Sequence, residues 1–323
     1  MSALRTVMRV AGGVALCWAG VVAAAPYPDK PVRLVVPFAP GGGSDIVARI
    51  LAQKVGSVWS QSVVVDNRGG SGGVAGTSTV AKSAPDGYTL LLTSISIAYA
   101  PALYAKLPYD TEREFAPALL LVVQPSILAV HPALPVRSVA ELVAMARAKP
   151  GELRYSSGGA GSAPHLAAEI FRATANIQLT HVPYKGGGAI VTAALAGEVQ
   201  MLFAGVASLM PHVKSSRLRA LAVTGLARSK AVPELPTMAE AGLPGAEFDG
   251  WYGLLTPAGT PRETIARINA DFNAVLAAPE VQERLLASGF EPLGGTPQKF
   301  SDYLRAETRK WTKLVRDAGI RVE

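Results

Sequence analysis

The stretch Val32–Leu51, VRLVVPFAPGGGSDIVARIL, decides how the rest of the chain is read. An apolar, β-branched run (Val32, Leu34, Val35, Val36) stops at Pro37. The loop Phe38-Ala39-Pro40-Gly41-Gly42-Gly43 follows, and apolar residues then recur at helical spacing as Ile46, Val47, Ile50 and Leu51. The order is strand, glycine loop, helix. Glycines let the backbone approach a bound group, and Ser44 or Asp45 is placed to cap the helix. The first free N–H groups and the positive end of the helix dipole then point into the loop. Such a corner attracts anions, and it serves equally well as a plain tight turn.

The units that follow repeat the plan. Val63–Val65 reads as a strand ending in Asp66-Asn67-Arg68 and a second loop, Gly69-Gly70-Ser71-Gly72-Gly73; a small-residue helix over Val74–Lys82 precedes a third strand, Tyr88–Leu92, that ends in Thr93-Ser94. Strands alternating with helices predict a parallel sheet whose functional loops gather at the carboxyl ends of its strands. Pro101–Pro108 reads as a short helix and turn. Phe115–Val130 is almost wholly apolar but interrupted by Gln124-Pro125, which predicts two strand segments and a crossing between domains. Ser138 caps a helix over Val139–Ala148, with Glu141 at capping-box spacing.

The same layout then recurs. Leu153–Tyr155 is a strand, SSGGAGS (Ser156–Ser162) a loop and Ala163–Ala173 a helix; Thr180–Val182, PYKGGG (Pro183–Gly188) and Ala189–Ala196 repeat the pattern before a strand at Val199–Phe203. Ser44 and Ser162 stand the same distance apart in the chain as Val63 and His181. Two similar α/β lobes with glycine loops at matching strand ends can enclose a ligand in the cleft between them. Strands follow at Leu218–Thr224 and Gly250–Leu255, the second returning towards the first lobe. Three helices (Pro261–Ala277, Pro279–Ser288, Pro297–Ala318) close the chain, each opening at or beside a proline and expected on the first lobe.

Composition narrows the function. With 323 residues, 49% hydrophobic and 17% charged, the chain has material for two domains with real cores. Arg5 and Arg9 ahead of the apolar run Val10–Val22 and the small residues that follow read as an export signal, residues 1–24, cleaved after Ala24. The run is too short to span a bilayer. The one cysteine, Cys17, lies inside that segment, so the exported chain has no disulfide and depends on its core. The formal charge of +7 includes Arg5 and Arg9, and no Lys/Arg cluster interleaved with aromatics suggests nucleic acid. His131, His165, His181 and His212 lack metal-ligand spacing, no Ser sits in G-x-S-x-G, and neither a metal nor a catalytic residue is expected. Gly70–Ala75 fits a relaxed G-x-G-x-x-A, but no acid follows at the spacing a ribose contact needs, so no nucleotide cofactor is expected. What remains is a binder whose helix starts and hydroxyls (Ser44, Thr93, Ser94, Ser157, Ser162) could hold a carboxylate without an arginine.

Several motifs resemble the Bug family, the periplasmic solute receptors of tripartite tricarboxylate transporters. They are Tyr27-Pro28 through Pro37–Asp45, Asp66–Gly70 with Gly72-Gly73, Lys106–Asp110, Gly161–Leu166, His181–Gly186, Pro211-His212, Leu218–Thr224, and Trp251 with Thr256–Pro261. The resemblance implies an α/β, two-lobed type II periplasmic-binding-protein fold with a ligand cleft between lobes: residues 25–123 and 249–323 as the first lobe, 124–248 as the second. It implies a small carboxylate captured by cleft closure and handed to membrane permease subunits, in the periplasm, by a monomer. Ligand contact is carried onto Phe38, Ala39, Gly41, Gly42, Gly43, Ser44, Gly72, Ser94, Ser157, Gly161 and Ser162, with Asp45 as a loop brace. Where the family often has Val-Asp before an apolar strand and an acid after it, this chain has Val199-Gln200 and Ala204-Gly205. If the missing acid meets an amino group, the departure points away from amino acids and towards plain mono- or dicarboxylates, aromatic ones included. A ligand sensor for a two-component system and an exported enzyme on the same scaffold are the alternatives.

Overall fold

The computed structural model describes residues 27–159, 162–184 and 187–317; the expected export signal and Gly161 lie outside them. The opening stretch folds as β1 (Val32–Val36), the glycine loop and α1 (Gly43–Trp59). Then come β2 (Val63–Asn67), a 3-10 turn at Ser71–Gly73, α2 (Val74–Ala81) and β3 (Thr89–Ser94), with β1 pairing in parallel to both β2 and β3. Because helices cover both faces, the strand is apolar on both: Val32, Leu34 and Val36 enter one core and Val35 another. Each such burial contributes roughly 1.5–3 kcal/mol.

Next, α3 (Ser96–Leu103) begins directly after β3, earlier than the sequence reading placed it. Pro101 lies inside it and cannot donate to Ile97, whose carbonyl instead receives the Thr111 hydroxyl at 3.5 Å. Then β4 runs unbroken from Phe115 to Val130, correcting the expectation of two segments. The strand changes partners at the proline, where no ladder hydrogen bond from Pro125 is needed.

The second set of elements is α4 (Val139–Ala148), β5 (Arg154–Ser157), α5 (Ala163–Ala175), β6 (Thr180–Pro183), α6 (Gly187–Leu195), β7 (Met201–Gly205), α7 (Val206–Lys214) and β8 (Arg219–Val223). Ser138 caps α4 through the Glu141 N–H at 3.1 Å, while the Glu141 carboxylate reaches back to the Arg137 N–H. The chain ends with β9 (Asp249–Pro257), α8 (Arg262–Ala277), α9 (Pro279–Ala287), β10 (Glu291–Pro292) and α10 (Pro297–Asp317).

Strand order is β2-β1-β3-β9-β4-β7-β5-β6, with β8 and β10 also on β4. From Phe115 to Pro125, β4 pairs with β9; from Ser126 to Val130 it pairs with β7, and from Ile127 to Val130 also with β8. The two lobes therefore share one plan, β2-β1-β3-β9-β4 in one and β6-β5-β7-β4-β8 in the other, which is the repeat read from the sequence. The chain crosses between them twice, at Pro125-Ser126 and between β8 and β9. These crossings are tied together: Ser126 N–H donates to the Thr224 hydroxyl at 2.9 Å, and Thr224 N–H donates to the Ser126 carbonyl at 2.8 Å. Helices α8 and α9 cover the α1 side of the first lobe, where Trp59 Nε1 donates to Asp271 at 2.6 Å; α10 covers the other side with Phe300 and Trp311 fully buried. Among the described residues no helix is long and apolar enough to cross a membrane.

Candidate functional site

Between the lobes lies a cavity of about 750 Å³. Phe38 and Gly42–Ser44 enter it from the loop and first turn of α1, Gly72 from the 3-10 turn, and Ser94-Ile95 from the junction of β3 and α3. Facing them, Gly158 and Ser162–Pro164 come from the end of β5 and the start of α5. The sequence reading placed Phe38, Gly42, Gly43, Ser44, Gly72, Ser94 and Ser162 at this site, and the structure brings all seven to the cavity wall.

Ala39 and Gly41 share the loop but do not line the cavity, and Ala39 is exposed. Gly41 N–H donates to Asp45 Oδ2 at 2.9 Å, and Arg49 Nε reaches the same oxygen at 3.0 Å. Asp45 thus braces the loop; burial works against its charge, but the bonds from Arg49 and Gly41 hold its carboxyl below the usual range. Ser157, the last residue of β5, is fully buried, bonds His181 Nε2 and accepts the Gly159 N–H at 3.1 Å.

The donors are arranged for an anion. Neither α1 nor α5 has a side-chain cap: their N-cap residues are Gly42 and Ser162, and both helices open into the cavity. Each N-terminus carries about half a positive charge, and an anion placed there gains roughly 0.3–1 kcal/mol, or about 2 kcal/mol where partly buried. Ser162 Oγ is buried and has no hydrogen-bond partner among the described residues. Leaving a buried hydroxyl unpaired costs about 1–3 kcal/mol, so this donor is held ready for something that enters the cleft.

The rest of the wall was not legible as a site in the sequence. Tyr99, Leu103 and Tyr104 come from α3 and its end, Gln124 from β4, and Gly250–Tyr252 from β9. Two glycines make room for these aromatics: a Cβ on Gly43 would stand 2.7 Å from the Tyr252 hydroxyl, and one on Gly72, at φ +62°, would stand 2.6 Å from the Tyr104 hydroxyl. The aromatic spacing in SIAYAPALYA and the GWYG strand were the available signals. Burial pushes the Tyr252 phenol up to about 12, so it is a neutral donor.

Behind the α5 start lies a buried polar cluster. The His165 and His181 rings meet at a tilt, 4.5 Å between centroids, and Tyr155 stacks on His181 at 5.0 Å. Tyr155 donates to Glu169 Oε1 at 2.9 Å and Arg172 forks onto Glu169 Oε2 at 2.9 and 2.7 Å. Burial, with His181 nearby, pulls His165 down to about 4, and burial also lowers His181, so both rings are neutral at pH 7. Through the bond from His181, the cluster fixes Ser157 at the end of β5. Among the described residues no group of three His, Cys, Asp or Glu is placed to hold a metal ion.

The sequence profile of the tripartite tricarboxylate transporter family receptor matches residues 47–320. BugT of Bordetella pertussis is 35% identical over 316 residues, 96% of this chain and 97% of its own. A solved structure from R. palustris, Rpa4515 with adipate, is 36% identical, covers 92% of this chain and 100% of its own, and superposes with a TM-score of 0.81. MatC from Rhodopseudomonas palustris, solved with bound malate, is 29% identical over 90% of this chain and 100% of its own, with a TM-score of 0.77. A matching profile over most of the chain, relatives aligned end to end and the shared two-lobed architecture agree: the chain belongs to the Bug-type receptor family of tripartite tricarboxylate transporters.

Proposed function

We propose that this protein is an extracytoplasmic solute-binding receptor that captures a small carboxylate by closing its two lobes and delivers it to the permease subunits of a tripartite tricarboxylate transporter. It works as a monomer in the periplasm, without catalysis and without a cofactor, after removal of residues 1–24. The moving bodies are residues 25–123 with 249–323, and 124–248, joined at the two crossings.

The observation that carries this reading is the convergence, in one cavity, of two uncapped helix N-termini from opposite lobes with a Ser162 hydroxyl that has no partner among the described residues. A carboxylate there would satisfy donors from both lobes at once and so favour the closed form. The contacts are Phe38, Gly42, Gly43, Ser44, Gly72, Ser94 and Ser162; Ala39, Gly41 and Ser157 hold the loops that present them. The adipate and malate of the two solved relatives belong to the same ligand class.

A thermal-shift screen of mono-, di- and tricarboxylates tests the proposal. A ligand at one hundred times its Kd contributes about 2.7 kcal/mol and raises Tm by several degrees. A full panel that leaves Tm unmoved, or turnover of a bound carboxylate, would contradict it.

A further inference from the structure

We infer that the preferred ligand is a monocarboxylate with a flat apolar body, and that the aromatic wall of the cleft selects it over dicarboxylates. The inference rests on the carboxylate-receptor reading and deepens it. The cavity combines two kinds of lining. Hydrogen-bond donors lie at the starts of α1 and α5, whereas Phe38, Ile95, Tyr99, Leu103, Trp251 and Tyr252 form a largely apolar wall.

No Lys, Arg, His, Asp or Glu is among the described residues lining the cavity. The α1 and α5 starts compensate one negative charge. A second carboxylate set against the wall would lose hydration without meeting a cation among the described residues, while a ring or alkyl body gains by leaving water. The Tyr99 and Tyr252 hydroxyls and the Gln124 amide make no hydrogen bond among the described residues and remain as neutral groups. They suit one uncharged substituent, a hydroxyl or carbonyl, on the ligand body. Adipate and malate are both dicarboxylates, so this preference sets the chain apart from the two relatives solved with them.

Matched pairs that differ by one carboxyl group make the test: hexanoate against adipate, and benzoate against terephthalate, titrated calorimetrically into the purified protein at pH 7.5. The monocarboxylate of at least one pair is expected to bind at least tenfold tighter than its partner, a difference of about 1.4 kcal/mol. Equal or tighter binding of the dicarboxylates, or binding confined to other di- and tricarboxylates, overturns the selectivity and leaves the receptor reading standing. Silence from all four and from the wider carboxylate panel overturns both.

Discussion

Replacing Ser162 with alanine should move stability and binding in opposite directions. An N-cap serine ordinarily supports its helix, and its loss costs about 1 kcal/mol. Ser162 makes no cap hydrogen bond, and its Oγ is buried without a partner among the described residues. Removing that hydroxyl relieves a penalty of about 1–3 kcal/mol, offset in part by the small cavity left behind. The unliganded S162A protein is therefore expected to melt at the same temperature as the parent or a few degrees higher. For the liganded protein the sign reverses: a hydrogen bond to a charged acceptor is worth about 1.5–3 kcal/mol, so Kd should weaken roughly 10- to 150-fold. The assays are urea unfolding without ligand and calorimetry with the carboxylate that gives the largest thermal shift. Ser138→Ala is the internal control, because Ser138 Oγ does accept the Glu141 N–H; it should lose about 1 kcal/mol and keep full affinity. If S162A is destabilised like S138A and binds normally, the hydroxyl is structural and the reasoning fails.

Three other outcomes follow from the geometry. Gly72→Ala places a side chain at φ +62° and 2.6 Å from the Tyr104 hydroxyl, and should cost roughly 1–3 kcal/mol in urea unfolding and weaken binding. His165, held at about 4, and His181, lowered too, bind fewer protons folded than unfolded. The stability they contribute is complete above pH 6.5 and lost as pH falls towards 4, a change of order 2 kcal/mol that His165→Gln should reduce when unfolding is compared at pH 7 and pH 4.5. Asp249 is raised by burial to about 6, and its Oδ1 has no partner among the described residues. Its contribution is present below pH 3.8 and lost as pH rises through 6. Asp249→Asn should therefore stabilise the fold by about 1–3 kcal/mol at pH 7.5 and change little at pH 3.5.

Local pattern carried the architecture. The switch from β-branched run to glycine loop to amphipathic helix at Val32–Leu51, and its recurrence from Leu153, are written in neighbouring residues, and both lobes follow from them. Pro125 misled because a proline normally ends a strand; whether it does depends on which strands lie beside it, and a change of partners is a tertiary fact. The site divided in the same way. Gly42–Ser44 and Ser162 were legible because a helix start advertises its donors in sequence. Ser157 was not separable from them, since its burial and its bond to His181 depend on a strand that comes later in the chain. Tyr99, Tyr104, Trp251 and Tyr252 reach the cleft from two elements far apart in sequence; their spacing is visible locally, but it reads equally well as core packing.

The central claim is that one carboxylate is held between the starts of α1 and α5. A crystal structure grown with the carboxylate that most raises Tm tests it directly. The account predicts carboxylate oxygens about 2.5–3.2 Å from Ser162 Oγ and from backbone N–H groups at both helix starts, with the lobes closed over them. A carboxylate bound elsewhere, or in the cleft with Ser162 Oγ still unpaired, would contradict it.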